Sequence, residues 1–128
     1  DSLIALKGKD FVIIAGDTTN AYSVLRMKVH PTPLRTTMIK FGILMEKTIS
    51  HRRIALDVLV FGDYIQKNLA FLQYKNGYKL STDDTAQFIR SELAEAIRKG
   101  PYSVSCLLAG FEGDQPRLYW LDYLGSVI

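Results

Sequence analysis

The chain begins with two short apolar segments on either side of a polar turn, and this pattern predicts a β-hairpin. The segments cover residues 2–7 and 11–17, and Gly8, Lys9 and Asp10 lie between them. Both segments are almost continuously apolar instead of alternating, and a strand of this kind usually has both faces covered by other layers. The pattern therefore indicates a fold with more than one layer.

Two amphipathic helices are predicted after residue 60. In the first, apolar residues recur every three or four positions over residues 61–72, and Gly77 provides a stop signal. The second helix has an N-cap candidate in Ser81, acidic residues in its first turn where the helix dipole favours them, and Gly100 after its end. Its predicted apolar stripe consists of Ala86, Ile89, Leu93, Ala96 and Ile97.

Two further strands are predicted after the second helix, at residues 103–111 and 117–124, with a turn-rich connector between them. Because a helical pair stands between two strand pairs, the order of elements predicts an α+β layered fold. Side chains alternate along the last strand, which places Leu118, Trp120 and Asp122 on one face and Tyr119, Leu121 and Tyr123 on the other.

The pattern is weaker between the hairpin and the first helix. Residues 18–28 are compatible with a turn that leads into a short strand. Further on, Pro31 and Pro33 exclude a helix, and residues 36–53 show no sustained period. No element is predicted between residues 29 and 60.

Length and composition favour one globular domain over residues 1–128, since the chain is 48% hydrophobic and has the size of a typical single domain. The net charge of +3 is spread along the chain, so we expect no nucleic-acid partner. The sequence has neither a membrane-length apolar stretch nor a signal peptide, which predicts no membrane association. Cys106, the single cysteine, lies in an apolar run and is expected to be a small buried hydrophobic residue in a reducing compartment.

Four segments, in the same order, resemble β-type subunits of the 20S proteasome. They read LIALKGKDFV at residues 3–12 with Ala-Gly-Asp at 15–17, DYIQKN at 63–68, CLLAGF at 106–111 and LYWLDYL at 118–124. Within that family the chain looks most like the non-catalytic subunit at the fourth position of the eukaryotic β ring. The resemblance extends over residues 2–28 and 61–126.

The resemblance implies an N-terminal-nucleophile hydrolase-like four-layer sandwich, in which two antiparallel sheets lie between helical layers. It also implies assembly with other α- and β-type subunits in stacked seven-membered rings, and a part in ubiquitin-dependent protein degradation in the cytoplasm and nucleus. We expect the carboxyl-terminal third of the domain to be absent from this sequence, leaving one sheet incomplete and apolar helix faces uncovered.

Residues 29–60 depart from the family pattern. Members usually carry there an Asp-Lys-Ile-like triplet followed by an aromatic residue, and this chain does not. If the reading frame of the codons of residues 38–42 is shifted by two bases, these codons permit the sequence Asp-Lys-Ile-Trp. We therefore hypothesise that the segment was translated in the wrong frame, which the underlying coding sequence tests.

The resemblance also bears on catalysis. Active members of the family use an N-terminal Thr whose hydroxyl attacks the peptide carbonyl. This sequence begins Asp1-Ser2, so we expect no catalytic activity from the chain itself. Asp17 matches the family's acidic position and is interpreted as a structural turn residue. The alternative is a self-processed amidohydrolase in which Ser2 is the nucleophile and Asp17 supports it.

Other candidate sites are weaker. His30 and His51 lie far apart in the sequence with no cysteine near either, so no metal site is predicted, and no motif indicates a cofactor. The aromatic residues Tyr119, Trp120 and Tyr123 fit a subunit interface, because such residues are enriched there, but they fit the packing of a sheet equally well.

Overall fold

A computed structural model describes residues 3–16, 20–22, 25–27, 41–47 and 54–128 of the chain. Its elements, in chain order, are β1 (Leu3–Lys7), β2 (Val12–Gly16), β3 (Asn20–Tyr22), β4 (Leu25–Met27), β5 (Phe41–Lys47), α1 (Ile54–Asn76), α2 (Thr82–Lys99), β6 (Val104–Glu112) and β7 (Gln115–Leu121). The predicted α+β class and its order of a strand pair, a helical pair and a second strand pair are confirmed.

The strands form antiparallel sheets. The strand β6 lies at the centre of a three-stranded sheet, with β5 and β7 on either side of it. The strands β1 and β2 form the predicted hairpin, in which Lys7 pairs with Val12, and β3 and β4 form a second, shorter hairpin. The connector of β6 and β7 is the turn Gly113-Asp114, tighter than predicted, and Gly113 has the positive φ of 60° that such a turn requires.

The helices and the first hairpin pack on opposite faces of the three-stranded sheet. The helices cover one face, with α1 beside β5 and β6 and α2 beside β6 and β7, while the β1–β2 hairpin lies against these same strands. The hydrophobic core lies between the helices and the sheet and contains Phe61, Ile65, Leu69, Ala86, Ile89, Leu93, Val104, Cys106, Leu108 and Leu121. The described residues therefore form three layers, in the order helices, sheet and hairpin.

The predicted signals of α2 are confirmed. The Ser81 hydroxyl accepts a hydrogen bond from the Asp84 backbone N–H, and the Gly100 N–H donates to the Ala96 carbonyl oxygen at the other end. Ala86, Ile89 and Leu93 are buried as predicted, whereas Ile97 is 37% exposed. The apolar stripe therefore runs past the edge of the core in the last turn.

The prediction for α1 was right at its end and wrong at its start. Gly77 follows the helix with a positive φ of 76°, and its N–H donates to the Gln73 carbonyl oxygen over 2.9 Å. The helix begins at Ile54, however, seven residues before the predicted position. Residues 54–60 are apolar at every position except Asp57, so this stretch has no polar face and no amphipathic period to reveal a helix.

The segment between residues 29 and 60, for which the sequence predicted no element, contributes a strand. Residues 41–47 form β5, which pairs with β6 from Phe41 opposite Gly110 to Lys47 opposite Val104. Its sequence is Phe-Gly-Ile-Leu-Met-Glu-Lys, which has no alternation, so the strand depends on its pairing partner more than on local pattern. The hypothesis of a frame error over residues 29–60 stays a prediction.

The β1–β2 hairpin carries apolar side chains on both faces, but within the described residues only one of these faces is covered. Leu3, Ala5 and Ile14 are half-buried on the side of the sheet, whereas the intervening side chains point away from it. Ile4, Leu6 and Ile13 are 70%, 60% and 55% exposed on this outer face. Within the described residues, no further layer covers it.

Candidate functional site

The residues that sequence reasoning connected with catalysis lie outside the described residues. These are Asp1, Ser2 and Asp17, and the two histidines His30 and His51 lie outside them as well. The interpretation of Asp17 as a turn residue stays a prediction.

The three aromatic residues near the carboxyl end do not share one surface. Tyr119 and Leu121 pack with the helices, whereas Leu118 and Trp120 line the opposite face of β7, as their alternation predicted. Tyr123 is half-buried in the turn that follows β7. An interface role for Tyr119, Trp120 and Tyr123 stays a prediction, and of the two strand residues Trp120 is the more exposed, at 42%.

A polar cluster joins the start of α2 to the β6–β7 hairpin. The Glu112 carboxylate accepts hydrogen bonds from the backbone N–H groups of Thr82 and Asp83, at 2.6 and 3.4 Å. Asp83 in turn accepts a hydrogen bond from the Tyr119 hydroxyl, and Arg117 Nε lies 3.9 Å from its Oδ1. An acidic side chain at free helical N–H groups is stabilising, so this cluster fixes α2 on the sheet.

The chemistry of this cluster is structural. Every carboxylate in it is held by backbone N–H groups or by the Tyr119 phenol, and Asp84 accepts a bond from the Ser81 hydroxyl at the helix start. The Asp83-Asp84 pair is therefore the helix-start pair that the sequence predicted. Sequence reasoning missed its link to Glu112 and Tyr119, because both partners lie about thirty residues further along the chain.

Removing the Tyr119 hydroxyl tests the strength of the cluster. Tyr119→Phe is expected to lower the free energy of unfolding by about 1 kcal/mol at pH 7, the usual net value of one hydrogen bond. The hydrogen bond to Asp83, together with burial, raises the pKa of Tyr119 above its ordinary value of 10.0. The contribution is therefore complete below pH 10 and is lost as the pH rises through the pKa of the folded state.

Urea unfolding at pH 7 and at strongly alkaline pH checks this expectation. The stability difference between the unaltered protein and Tyr119→Phe should shrink at the higher pH. The matched control is Tyr78→Phe, since Tyr78 is 64% exposed and its removal should change little at either pH. A difference of the same size at both values of pH would contradict the assigned hydrogen bond.

The thiol of Cys106 is the one nucleophilic sulfur in the sequence, and the fold makes it inert. The side chain is fully buried in the core, on β6 near the amino-terminal end of that strand. Burial raises its pKa from 9.0 to about 12. Only the thiolate is a nucleophile, so the folded chain holds this group in its unreactive form at physiological pH.

Thiol labelling provides a direct measurement. Because burial raises the pKa of Cys106 to about 12, almost all of this side chain is the protonated thiol at pH 8. Cys106 should therefore react with iodoacetamide no faster than the protein unfolds, as followed by peptide mass mapping, and rapidly in denaturant. Fast labelling of the native protein at pH 8 would show that the residue is accessible.

A cavity of about 470 Å³ lies between the β1–β2 hairpin and the three-stranded sheet. Its lining is mainly apolar and includes Leu3, Ala5, Leu107, Leu118 and Trp120. Ser105 also contributes to the lining. Apolar space of this kind suits packing or an apolar group and offers no pair of groups for acid–base chemistry.

Across residues 3–16, 20–22, 25–27, 41–47 and 54–128, no three His, Cys, Asp or Glu side chains come together as a metal site.

The outward side of α1 carries an exposed aromatic surface that sequence reasoning did not single out. We define the α1 aromatic face as Val60, Tyr64, Phe71, Tyr74 and Tyr78, of which Tyr78 lies beyond the helix, after Gly77. Tyr64 is fixed by a 2.9 Å hydrogen bond from its hydroxyl to Glu92 of α2, and this bond raises the pKa of Tyr64. The sequence pattern had placed Tyr64 in the apolar stripe of the first helix, whereas the structure leaves it 41% exposed on the outward side. None of the described helices is both long and apolar enough to cross a membrane.

Comparison with known proteins agrees with the resemblance. A family model described as Proteasome subunit matches residues 54–128, which is more than half of the chain and begins where α1 begins. The chain is 38% identical over 127 residues to Proteasome subunit beta type-2 of Oryza sativa subsp. japonica, covering 98% of this chain and 57% of that protein.

Two other curated relatives are similar over the same extent. Proteasome subunit beta type-2 of Dictyostelium discoideum is 34% identical over 131 residues, covering 99% of this chain and 63% of that protein. Proteasome subunit beta type-4 of Saccharomyces cerevisiae is 32% identical over 133 residues, covering 100% of this chain and 63% of that protein. The chain thus spans less than two thirds of the length of these relatives.

Proposed function

Since the chain belongs to the proteasome subunit family, as a β-type member with the N-terminal-nucleophile hydrolase fold, we propose that it is a non-catalytic structural subunit of the 20S core particle. In this role it helps to assemble the β ring and to enclose the proteolytic chamber used in ubiquitin-dependent degradation. Its partners are other α- and β-type subunits in stacked seven-membered rings, in the cytoplasm and nucleus. Heterologous contacts between neighbours close such rings.

The match to β-type proteasome subunits carries the architectural role. Apolar side chains are also exposed on the outer faces of both outer layers of the described residues, where neighbouring subunits or the remaining part of the full-length protein would cover them. They lie on the β1–β2 hairpin at Ile4, Leu6 and Ile13, and on α1 at Phe71 and Tyr74. Contiguous exposed apolar surface is typical of protein interfaces and is unfavourable on an isolated domain, at about 25 cal/mol per Å². A subunit that buries such faces against its neighbours holds them in place without a nucleophile of its own.

The polar and nucleophilic side chains of the described core have structural roles. The Cys106 thiol is buried and protonated, and the Asp83 carboxylate is bound to Tyr119 in the cluster that fixes α2. Both groups serve the packing of helices on the sheet. A part in forming the chamber wall requires only that the fold present its strands and loops correctly.

Affinity capture of the full-length protein from its own cells tests the proposal. Recovery with a set of α- and β-type subunits in a particle of several hundred kilodaltons is the expected result. Recovery of the protein alone would contradict a structural role in the core particle.

The mature amino terminus separates this role from the self-processed amidohydrolase. A catalytic chain would expose Ser2 by removal of Asp1 and would react with a covalent amidase probe through that hydroxyl. Mass spectrometry of the captured subunit is expected to show no terminus at Ser2 and no adduct with the probe. A processed terminus that carries the probe would establish the hydrolase instead.

A further inference from the structure

The carboxyl-terminal end of α1 carries a reactive pair of residues. Of the three asparagines in the sequence, Asn76 is the one that glycine follows. In such a pair the backbone nitrogen of the glycine attacks the asparagine side chain readily, because glycine has no Cβ to hinder its approach to the carboxamide carbon. Asn76 is the last residue of α1, and both it and Gly77 are exposed. The pair thus combines a reactive sequence with access to water.

The surroundings of Gly77 leave space for this attack. A Cβ built on Gly77 would meet no heavy atom within 4 Å, so no neighbouring group obstructs the nitrogen on that side. The Asn76 carboxamide forms no hydrogen bond with any residue that the structure describes, so its carbon is not held away from the backbone.

One hydrogen bond restrains the attacking atom. The Gly77 N–H donates to the Gln73 carbonyl oxygen over 2.9 Å, and the φ of 76° at Gly77 ends the helix in the left-handed conformation. The nitrogen reaches the Asn76 side chain only when the backbone of Asn76 leaves its helical conformation, which breaks this bond. Helix ends open locally at a low cost in free energy. The attack should therefore follow the opening of the last turn.

Asn68, earlier in the same helix, has none of these features. Its Nδ2 donates a hydrogen bond to the Tyr64 carbonyl oxygen over 2.8 Å. The residue after it, Leu69, is 5% exposed and lies in the core. The leucine side chain hinders attack, and its packing keeps the surrounding backbone helical. Asn68 is therefore an internal reference for an unreactive asparagine.

We propose that Asn76 and Gly77 form a site of spontaneous deamidation, which the carboxyl-terminal cap of α1 restrains. When the last turn opens, the deprotonated Gly77 nitrogen forms a bond to Asn76 Cγ, the Cγ–Nδ2 bond breaks, and Nδ2 takes up a proton and leaves as ammonia. Water then adds to either carbonyl of the resulting succinimide and opens it to aspartate or isoaspartate. The reaction needs water and no partner subunit, so it does not depend on the proposed function.

The two products affect α1 differently. Aspartate places a negative charge at the carboxyl end of the helix, where the helix dipole disfavours it. Isoaspartate in addition directs the main chain through its side-chain carbon, and the lengthened backbone no longer holds the Gly77 N–H at the Gln73 carbonyl oxygen. The last turn and the connection to α2 then lose their fixed geometry. The modification thus accumulates with the age of the chain and loosens one end of α1.

Incubation of the tagged full-length protein, captured from its own cells, tests the site. One sample is kept at pH 8 and a second in guanidinium chloride at the same pH. Peptide mass spectrometry should find aspartate and isoaspartate at position 76 in both, with conversion about tenfold slower in the native sample because the cap must open first. Asn68 should stay unchanged in the native sample. The matched control Asn76→Gln keeps an amide but closes the larger ring slowly, and should show no conversion.

Three results would overturn the proposal. If Asn76 stays intact in the native sample while the denatured sample is fully converted, the folded chain closes the site. Equal rates in the two samples would mean that the cap does not restrain the reaction. Conversion of Asn68 as fast as that of Asn76 in the native sample would mean that the end of α1 is not special.

Hydrogen exchange measures the consequence for α1. In the fraction that contains isoaspartate, the backbone amides of residues 74–77 should exchange about tenfold faster than in the unmodified protein, as expected when a cap hydrogen bond is lost. Asn76→Asp adds the charge without the extra main-chain carbon and should increase exchange less. Unchanged exchange in the isoaspartate fraction, or an equal increase in Asn76→Asp, would contradict the assigned effect on the backbone.

Discussion

Replacement of Phe61 by alanine is expected to lower the free energy of unfolding by about 3–5 kcal/mol, the usual cost of removing a fully buried aromatic ring. Phe61 has no exposed surface and lies in the core between α1 and the sheet. Its ring is 4.9 Å from that of Tyr102 at an interplanar angle of 43°, a tilted contact that aromatic pairs favour. The variant loses this contact and leaves a cavity that the packed helices cannot close completely.

Phe71→Ala is the matched control, because it makes the same change in the same helix. Phe71 is 60% exposed, so its replacement should change the unfolding free energy by less than about 1 kcal/mol. Urea or thermal unfolding of the two variants measures the difference. If Phe71→Ala proves as destabilising as Phe61→Ala, the orientation of α1 on the sheet is incorrect.

This pair of variants also separates folding from assembly. Phe61→Ala should reduce the amount of folded protein, whereas Phe71→Ala should leave the folded chain intact. If the proposed function is correct, a loss of capture in the particle by Phe71→Ala would then report on assembly and not on folding.

The elements that the sequence predicted well are those with local signals at their ends. Ser81, the acidic first turn and Gly100 mark α2, and all three act in the structure as caps or dipole partners do. The hairpin of β1 and β2 was recognisable for a similar reason, since a polar turn stands between two apolar runs. Alternation along β7 likewise predicted which side chains meet the helices.

The elements that the sequence did not reveal depend on contacts distant in the chain. The strand β5 acquires its position by pairing with β6, about sixty residues later, and the first two turns of α1 are too uniformly apolar to show a period. Glu112 reaches the start of α2 across 30 residues. Such contacts are decided by tertiary packing, which propensity and pattern do not encode.

The candidate surface was only partly accessible to sequence reasoning. The residues Phe71, Tyr74 and Tyr78 were visible, but the predicted stripe ended at residue 72 and assigned no partner to the opposite side. They are exposed because α1 turns the face that carries Phe61 and Ile65 toward the core. The outward aromatic residues of α1 can therefore be recognised only once its buried face is known.

Gly125→Ala is expected to destabilise the folded chain by about 2–4 kcal/mol, through two effects that act together. Gly125 has a positive φ of 83° in the turn after β7, a conformation that costs alanine about 1 kcal/mol. A Cβ at this position would also lie 3.0 Å from the Ala94 Cβ and 3.1 Å from both the Ala94 nitrogen and the Arg90 carbonyl oxygen. Because two of these atoms belong to the backbone of α2, overpacking adds about 1–3 kcal/mol.

Gly113→Ala isolates the contribution of the close contact with α2. Gly113 also has a positive φ, of 60°, but an added Cβ there would have no atom within 4 Å. Its replacement should therefore cost only the conformational part, about 1 kcal/mol, in the same unfolding measurement. Equal losses in the two variants would mean that the turn does not pack on α2. A larger loss for Gly125→Ala would show that the turn after β7 is fixed against the helical layer, in the same way that Glu112 fixes the other end of the β6–β7 hairpin.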